Sequence, residues 1–411
     1  MNQFDAPGKF VADRSLGFGL GTHVVLDTSP KLTISLYYDI VEISHIWLKF
    51  QQHAASTLYQ TFQWCSSWQQ TVGQARGCRP RILMGRNANG KVMFILPLQL
   101  RRAFGLKILE WHAYPSVNYG YGLFEREFLP IAAPWFAQNL TRILSLTGSY
   151  DILSLQDMPA DMEGQPHPLS SHFNMRAANQ SYAVGLQPDY EALYASKRSA
   201  ESRRSNRKRD AKLGAYGDLS FGLPSTYPEA HAVLDDMFRH QAQRLAEIGV
   251  HGTFGKPERE FIHRLVEEDC EGTPLLMPFA LRCDGKTLAV MLGGHFNASF
   301  WALISSLGPG EARKYSPGDY ALRHMIESCC RLGFSKLDFA AGDTSYKSQW
   351  ADETIELNVA LRSQSLPGFF YVLGVAAALA GKRVIKQSPV LRNFAFQLRR
   401  VAAGRKATPH H

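Results

Sequence analysis

Residues 275–293, LLMPFALRCDGKTLAVMLG, hold two apolar runs on either side of Asp284-Gly285-Lys286. An Asp-Gly pair between such runs is the signature of a strand, a tight turn and a second strand. Residues 81–100, RILMGRNANGKVMFILPLQL, repeat the arrangement around Asn89-Gly90-Lys91. Outward from each hairpin the order of elements also repeats. Helical spacing of apolar residues over 46–58 and 62–72 precedes the first hairpin, and over 229–248 and 258–268 the second. After each hairpin comes a strand (106–111; 299–305), a helix (134–146; 318–332) and another strand (150–155; 336–340), opening Asp151-Ile152 in one copy and Asp338-Phe339 in the other. Two copies of one α/β (α+β) unit are predicted, each a mixed, mostly antiparallel sheet flanked by helices. The expected division is a loose lead-in over 1–30, a first domain over 31–157, a connector over 158–180, a second domain over 181–365 and a basic tail over 366–411.

Composition agrees with a globular chain. It has 411 residues, 45% of them hydrophobic and 20% charged, enough for two or three domains. The net charge of +9 is concentrated. Residues 197–212 carry eight Lys/Arg against two acids, and 357–411 carry nine Lys/Arg and no acid, so the rest of the chain is net negative. Two local sites for an anion or an anionic surface are implied. The six cysteines include no C-x-x-C pair, which argues against a disulfide framework or a structural metal. The first residues show no secretory signal, and a reducing, cytoplasmic setting is expected. Residues 366–381, LPGFFYVLGVAAALAG, are shorter than the roughly 20 apolar residues a spanning helix needs, and read as a buried or interfacial helix.

Three segments could carry chemistry. In Lys314-Tyr315-Ser316-Pro317-Gly318-Asp319-Tyr320, Pro and Gly open a helix behind a strand. Such a start offers outward N–H groups and a positive dipole end to a pyrophosphate; an ordinary turn capped by Ser316 reads equally well. In Gly342-Asp343-Thr344-Ser345-Tyr346-Lys347-Ser348-Gln349-Trp350, the residues Asp343, Tyr346 and Lys347 follow a strand and could serve as base, acid and anion clamp; the alternative is capping and surface ion pairing. The third segment, 196–212, reads as one helix with Lys197, Arg204 and Lys208 on a stripe and Arg203 and Arg207 beside it. Its charge calls for an anionic partner, or for solvent. Other templates fail: Gly17-Phe18-Gly19-Leu20-Gly21 lacks a third glycine, no P-loop, H-E-x-x-H or G-x-S-x-G occurs, and His45, His112, His240 and His295 stand alone as structural histidines.

Together Phe94-Ile95-Leu96-Pro97-Leu98 with Arg101-Arg102, the helix from Ser196-Lys197-Arg198 to Lys212-Leu213, Tyr315-Ser316-Pro317-Gly318, and Gly342-Asp343 with Tyr346-Lys347 and Trp350 resemble the CelD-type acetyltransferases of bacterial polysaccharide biosynthesis. These belong to the GNAT superfamily and are related to the FemAB-type peptidyltransferases. The resemblance spans about residues 40 to 365. It implies tandem GNAT-like domains, with acetyl-CoA or another acyl-CoA held in the second by Tyr315, Ser316, Pro317, Gly318 and Asp319, and no metal. The superfamily's R/Q-x-x-G-x-G/A loop is absent, and only Tyr315 to Gly318 stands in its place. The implied catalytic residues are Asp343, Tyr346 and Lys347. Lys197, Arg198, Arg204 and Trp350 are expected to meet a small-molecule or lipid-linked sugar acceptor. From its own composition, a short apolar stretch joined to an acid-free basic segment, the tail is expected either at an anionic membrane surface, at the inner face of the membrane, or as a solvated helix packed on the domain. A FemAB-like relative would take aminoacyl-tRNA as donor, and a non-catalytic scaffold for a polysaccharide synthase is a third expectation.

Overall fold

At the tip of the second hairpin Asp284 and Gly285 stand at φ 49° and 74°, the left-handed pair that a two-residue turn demands. The computed structural model describes residues 23–26, 28–247, 254–270, 272–342 and 345–387. The chain divides into two compact units, Met1–Ala177 with Leu357–Gly374 and Ala178–Glu356 with Val375–His411.

The first unit runs β1 (His23–Leu26), β2 (Leu32–Tyr37), α1 (Ser44–Gln51), α2 (Phe62–Trp68), β3 (Arg79–Asn87), β4 (Val92–Ala103), β5 (Leu106–Trp111), a short β6 (Leu123–Phe124), α3 (Leu129–Ser145) and β7 (Ile152–Pro159). A small hairpin, β8 (Asp161–Met162) and β9 (Gln165–Pro166), and β10 (Met175–Arg176) follow. Strands β1 to β5 are antiparallel neighbours. The crossover through α3 then sets β7 parallel to β5, with Ile108 opposite Ile152. Ala132, Phe136, Leu140 and Ile143 recur at helical spacing on α3 and pack against Leu83, Phe94, Leu96 and Leu109 of the sheet. This helix begins at Leu129 and carries Pro134 inside it, whereas the sequence suggests a start at 134. Proline also reads as a helix start, and here it removes a single N–H donor close to one.

The second unit runs β11 (Ser181–Gly185), α4 (Tyr190–Lys197), α5 (Ala200–Gly214), β12 (Leu219–Gly222), α6 (Tyr227–Glu247), α7 (Lys256–Leu265), a hairpin of β13 (Asp269–Cys270) and β14 (Thr273–Pro274), then β15 (Leu276–Cys283), β16 (Lys286–Phe296), β17 (Ser299–Leu307), α8 (Pro317–Arg331), β18 (Lys336–Ala341), α9 (Ser345–Trp350) and β19 (Glu353–Ile355). Its sheet order is β12-β15-β16-β17-β18-β11-β19, and β17 and β18 form the parallel pair. Antiparallel strands, a crossover helix and a parallel strand thus occur twice, as the repeated pattern predicts: the chain folds as two α/β units of one kind.

The chain then returns to the first unit. β20 (Leu357–Ser363) lies between β7 and β10, and α10 (Leu366–Gln387) follows. The sequence reading carries the second domain to 365 and treats 158–180 as a connector, yet residues 357–363, 158–159 and 175–176 all belong to the first sheet. Each sheet takes two more antiparallel strands beyond its parallel pair, β20 and β10 in the first and β11 and β19 in the second. A short apolar run does not say which sheet it joins. Of the expected lead-in, 23–26 form β1, while 1–22 and 27 lie outside the described residues. All six cysteines are buried free thiols. Among the described residues no group could hold a metal ion, and no helix is long and apolar enough to cross a membrane.

Candidate functional site

β17 and β18 pair only where they begin, Ser299 to Trp301 against Lys336 to Asp338. Beyond that point β17 continues to Leu307 and β18 to Ala341 without pairing to each other. On the other side of β17 the register slips between Leu292 and Gly293, a bulge that turns the strand. The split leaves Ala302 to Leu307 and Phe339 to Ala341 outside the parallel ladder, and Ala302 to Ser305 are not buried. Clefts at the carboxyl ends of neighbouring parallel strands are where open α/β sheets place ligands.

The carboxyl end of β18 is held in an unusual shape. Ala340 has φ 58° and Gly342 φ 125°; the first is uncommon for a residue with a side chain. The buried Asp338 fixes the bend, its carboxylate accepting the Ala340 amide at 2.6 Å and the Ser181 hydroxyl at 3.3 Å. Lys347 from α9 donates its ammonium to the carbonyls of Ala340 at 3.2 Å and Ala341 at 3.1 Å.

Each of the two strands leads to one wall of a cavity of about 370 Å³. α8 supplies Asp319, α9 supplies Gln349, and the break between α4 and α5 supplies Lys197, Arg198 and Ser199, with Ser202, Asn206 and Arg209 along α5. Ser199 is the N-cap of α5, accepting the Ser202 amide at 3.2 Å. Arg209 donates to Asn206 and to the Ser316 hydroxyl at 3.4 Å. Asn206 is buried and donates to the Tyr194 hydroxyl at 2.6 Å. Arg198 lies over the Trp350 ring at 4.7 Å and donates to the Gln349 carbonyl at 2.8 Å. Lys197 is paired with Asp352. Burial would raise the Asp352 carboxyl, but the Lys197 ammonium and the Gly185 amide more than offset it and hold it below the usual range. Three cations and a helix start therefore meet the cavity, and Asp319 is the carboxylate among its lining residues. Arg323 pairs with that carboxylate at 3.1 Å. The set suits phosphate oxygens. A larger hollow of about 530 Å³ is lined by Phe254, Lys256, Arg259, Glu260 and His263, at and before α7.

The residues expected from the sequence are placed as follows. Asp343 lies outside the described residues. Tyr346 sits at the edge of the surface with its ring edge-on to Phe339, centroids 6.4 Å apart. Lys347 is buried on the β18 carbonyls, so its geometry is that of a strut for the strand end. Ser316 has a left-handed backbone, φ 58°, and makes no capping bond through its side chain, contrary to the turn in which it caps the helix. Pro317 is the first residue of α8, and the amides of Asp319 and Tyr320 donate to the Ser316 carbonyl at 3.1 and 3.2 Å. Gly318 is pressed against the end of β17, since a Cβ there would lie 2.8 Å from Leu307. Tyr315 packs edge-on to Tyr216, centroids 6.4 Å apart. Trp350 is fully buried behind Arg198 and stacked on Tyr194 at 5.9 Å, a backing wall rather than a surface.

The continuous stripe Lys197–Arg204–Lys208 does not form. α4 ends at Lys197, Arg198 is extended at φ −137°, and a new helix starts after Ser199. Arg204 is exposed on the opposite side of α5 from buried Asn206. Arg203, Arg204, Arg207, Lys208 and Lys212 make no ion pair among the described residues. The cavity face is Ser199, Ser202, Asn206 and Arg209, a run at helical spacing. The sequence signal that reveals it is the Ser199 cap, which restarts the helical count.

The family model described as "Acetyltransferase (GNAT) domain" matches residues 200–348. No curated protein matches the chain. Among solved structures, FemX is 11% identical, with a TM-score of 0.51 over 77% of this chain and 95% of that one. The C-terminal domain of a putative lysylphosphatidylglycerol synthetase from Agrobacterium fabrum is 10% identical, with a TM-score of 0.51 over 83% and 96%. At these identities the likeness is one of fold.

Proposed function

We propose that the second unit is an acyltransferase, similar to the CelD-type enzymes, that moves an acetyl or similar group from acyl-CoA to an amine or hydroxyl of a sugar-containing envelope precursor. The observation that carries this reading is the split between β17 and β18 beside the cationic cavity. Past Trp301 and Asp338 the two strands no longer pair with each other, and an extended ligand arm that itself carries amides can lie along main-chain groups of β17 that the ladder does not reach. Phosphates at the other end of such an arm find Arg198, Arg209 and the start of α5. Acyl-CoA has both parts.

The acceptor attacks the thioester carbonyl directly. Asp343, which follows the bent end of β18, takes the proton from its nitrogen or oxygen; the tetrahedral oxyanion collapses, the C–S bond breaks, and the leaving thiolate takes a proton from Tyr346. Lys347 and Asp338 position these groups by fixing Ala340 and Ala341. The all-buried cysteines favour direct transfer over an enzyme-bound acyl group, because burial pushes the Cys65 and Cys329 thiols far up and away from the nucleophilic thiolate.

Calorimetry with acetyl-CoA tests the donor. Arg209→Ala should weaken binding about tenfold or more, the loss of one charge-assisted contact; equal affinity in both proteins overturns the site. Thiol release from acetyl-CoA with envelope-precursor extracts tests the chemistry. Asp343→Asn should slow it by about 10² to 10⁴ with donor binding intact, and an unchanged rate removes Asp343 from the mechanism.

A second reading, transfer of an aminoacyl group from tRNA, is favoured by the unpaired outer face of α5. If it holds, changing Arg203, Arg204, Arg207 and Lys208 to Ala abolishes a strongly salt-dependent tRNA interaction. The absence of any turnover, with no binding of either donor, would leave the scaffold reading.

A further inference from the structure

Phe104 is 90% exposed. It occupies the tip of the β4–β5 hairpin at φ 51°, next to Gly105 at φ 78°, a left-handed position where Asn, Asp or Gly is the usual choice. A bulky aromatic there works against local preference and gains nothing from the core. Its ring meets Tyr371 of α10, centroids 6.4 Å apart, so the hairpin tip and the start of that helix form one patch. Leu366 is 71% exposed, Phe370 65%, Leu373 50% and Phe369 47%. The helix is held in this position by Gly368, which is buried and approaches the Asp151 carbonyl so closely that a Cβ would lie 2.5 Å from it. Between 366 and 374, the part of the helix in the first unit, Gly368 is the one buried residue, although the sequence there is almost wholly apolar. An apolar helix that its own unit leaves uncovered marks an interaction surface.

Charge identifies the occupant. Residues 357–411 carry nine Lys/Arg and no Asp or Glu, and Arg102 is exposed beside Phe104. Aromatic and aliphatic side chains next to a basic run, on a helix that over its described residues is not long and apolar enough to cross a bilayer, are the composition of an in-plane membrane contact. Each basic residue close to an anionic surface adds to the attraction. We propose that the first unit docks on the surface of an anionic phospholipid bilayer through Phe104, Leu366, Phe369, Phe370 and Leu373. The docking is independent of the reaction assigned to the second unit.

The test is flotation of the full-length protein with vesicles of phosphatidylglycerol and phosphatidylethanolamine, beside vesicles of phosphatidylcholine alone. The expected result is recovery with the anionic vesicles only, and a partition coefficient lowered about tenfold by Phe104→Ser and again by Phe370→Ser, the loss of one inserted aromatic each. Both side chains are exposed, so thermal unfolding of the variants should match that of the parent and show that folding is intact. Phe104 lies outside the basic tail, which makes it the decisive position. Equal flotation of parent and Phe104→Ser would mean that charge alone holds the lipid and would overturn the patch. No flotation of the parent would overturn it as well. So would a dimer in light scattering that both variants dissociate without any vesicle binding, since a second copy would then be the occupant.

Discussion

Arg323 on α8 grips the carboxylate of Asp210 on α5 with both terminal guanidinium nitrogens, at 3.0 and 2.6 Å. The Arg323 side chain is 9% exposed and that of Asp210 24%. This pair ties together α5 and α8, the two helices that wall the cationic cavity. Burial alone would lower the Arg323 guanidinium, but Asp210 and Asp319 together hold it above its usual value. Removing Asp210 leaves a nearly buried cation with Asp319 as its remaining partner. Asp210→Ala should therefore cost about 2 kcal/mol, below the full penalty for a buried pair because solvent reaches Asp210. Asp210→Asn, which keeps a hydrogen bond, should cost less. Denaturant midpoints measure both, and a neutral Asp210→Ala would show that the pair holds nothing.

Asp319 gives the opposite sign in binding. It lines the cavity together with Lys197, Arg198 and Arg209, so its charge repels the anion those cations attract. Arg323 keeps Asp210 when Asp319 is lost, and the fold should tolerate Asp319→Asn. Binding of pyrophosphate should strengthen roughly three- to tenfold, while Arg209→Ala weakens it. Titration of pyrophosphate into both variants decides the matter. Two changes of the same sign would place the anion elsewhere.

Ala340 carries left-handed backbone at the end of β18, where a side chain costs roughly 1 to 2 kcal/mol that glycine avoids. Glycine loses more freedom on folding, so Ala340→Gly should stabilise the second unit by about 0.5 to 1 kcal/mol. The same change frees the strand end from which residues 343–347 continue. Stability should rise and the turnover rate fall, a pairing that a purely structural bend would not give. A variant more stable and equally fast would detach the bend from catalysis.

The parts of this architecture that the sequence reveals are the local ones. Strand β5 is read at its observed limits, Leu106 to Trp111, and the 284–285 turn follows from Asp-Gly between two apolar runs. What depends on partners far along the chain is not legible in this way. Asp210 and Arg323 stand 113 positions apart with no local pattern joining them, and β20 pairs with β7 across about two hundred residues, Leu357 opposite Pro159. The cavity lies between these cases. Arg198 is legible as a cation in a basic run, but its direction is set by one cap, Ser199, and by Trp350 stacked behind it.

His112 makes the first unit sensitive to acid. The ring is buried edge-on to Trp68, centroids 5.2 Å apart. Its Nε2 donates to the Cys65 carbonyl at 3.1 Å, and its Nδ1 is buried with no hydrogen-bond partner among the described residues. A second proton would place charge on Nδ1 with nothing to receive it. Burial lowers its pKa to about 4, only partly opposed by the bond to Cys65. His167 is alike: burial lowers it to about 3, its Nε2 donates to the Gly120 carbonyl, and its Nδ1 already accepts the Leu169 amide. Both folded values lie below the unfolded 6.5, so the unfolded chain takes up protons first. The stability is therefore complete above pH 6.5 and is lost as the pH falls toward 4. At about 1.4 kcal/mol per pH unit, each histidine removes roughly 2 kcal/mol between pH 6.5 and 5. Asp157 works the other way. Burial raises its carboxyl to about 6, so acidification from pH 6 to 5 returns roughly 1 kcal/mol. The histidines prevail, and hydrogen exchange in β4 and β5 should show a first unit weaker at pH 5 than at pH 7.5. His112→Gln retains a side-chain donor but cannot be protonated. It should flatten that pH dependence by about two thirds, whatever it costs at pH 7.5 through altered packing. A slope unchanged in His112→Gln would mean that the buried ring does not govern the acid response.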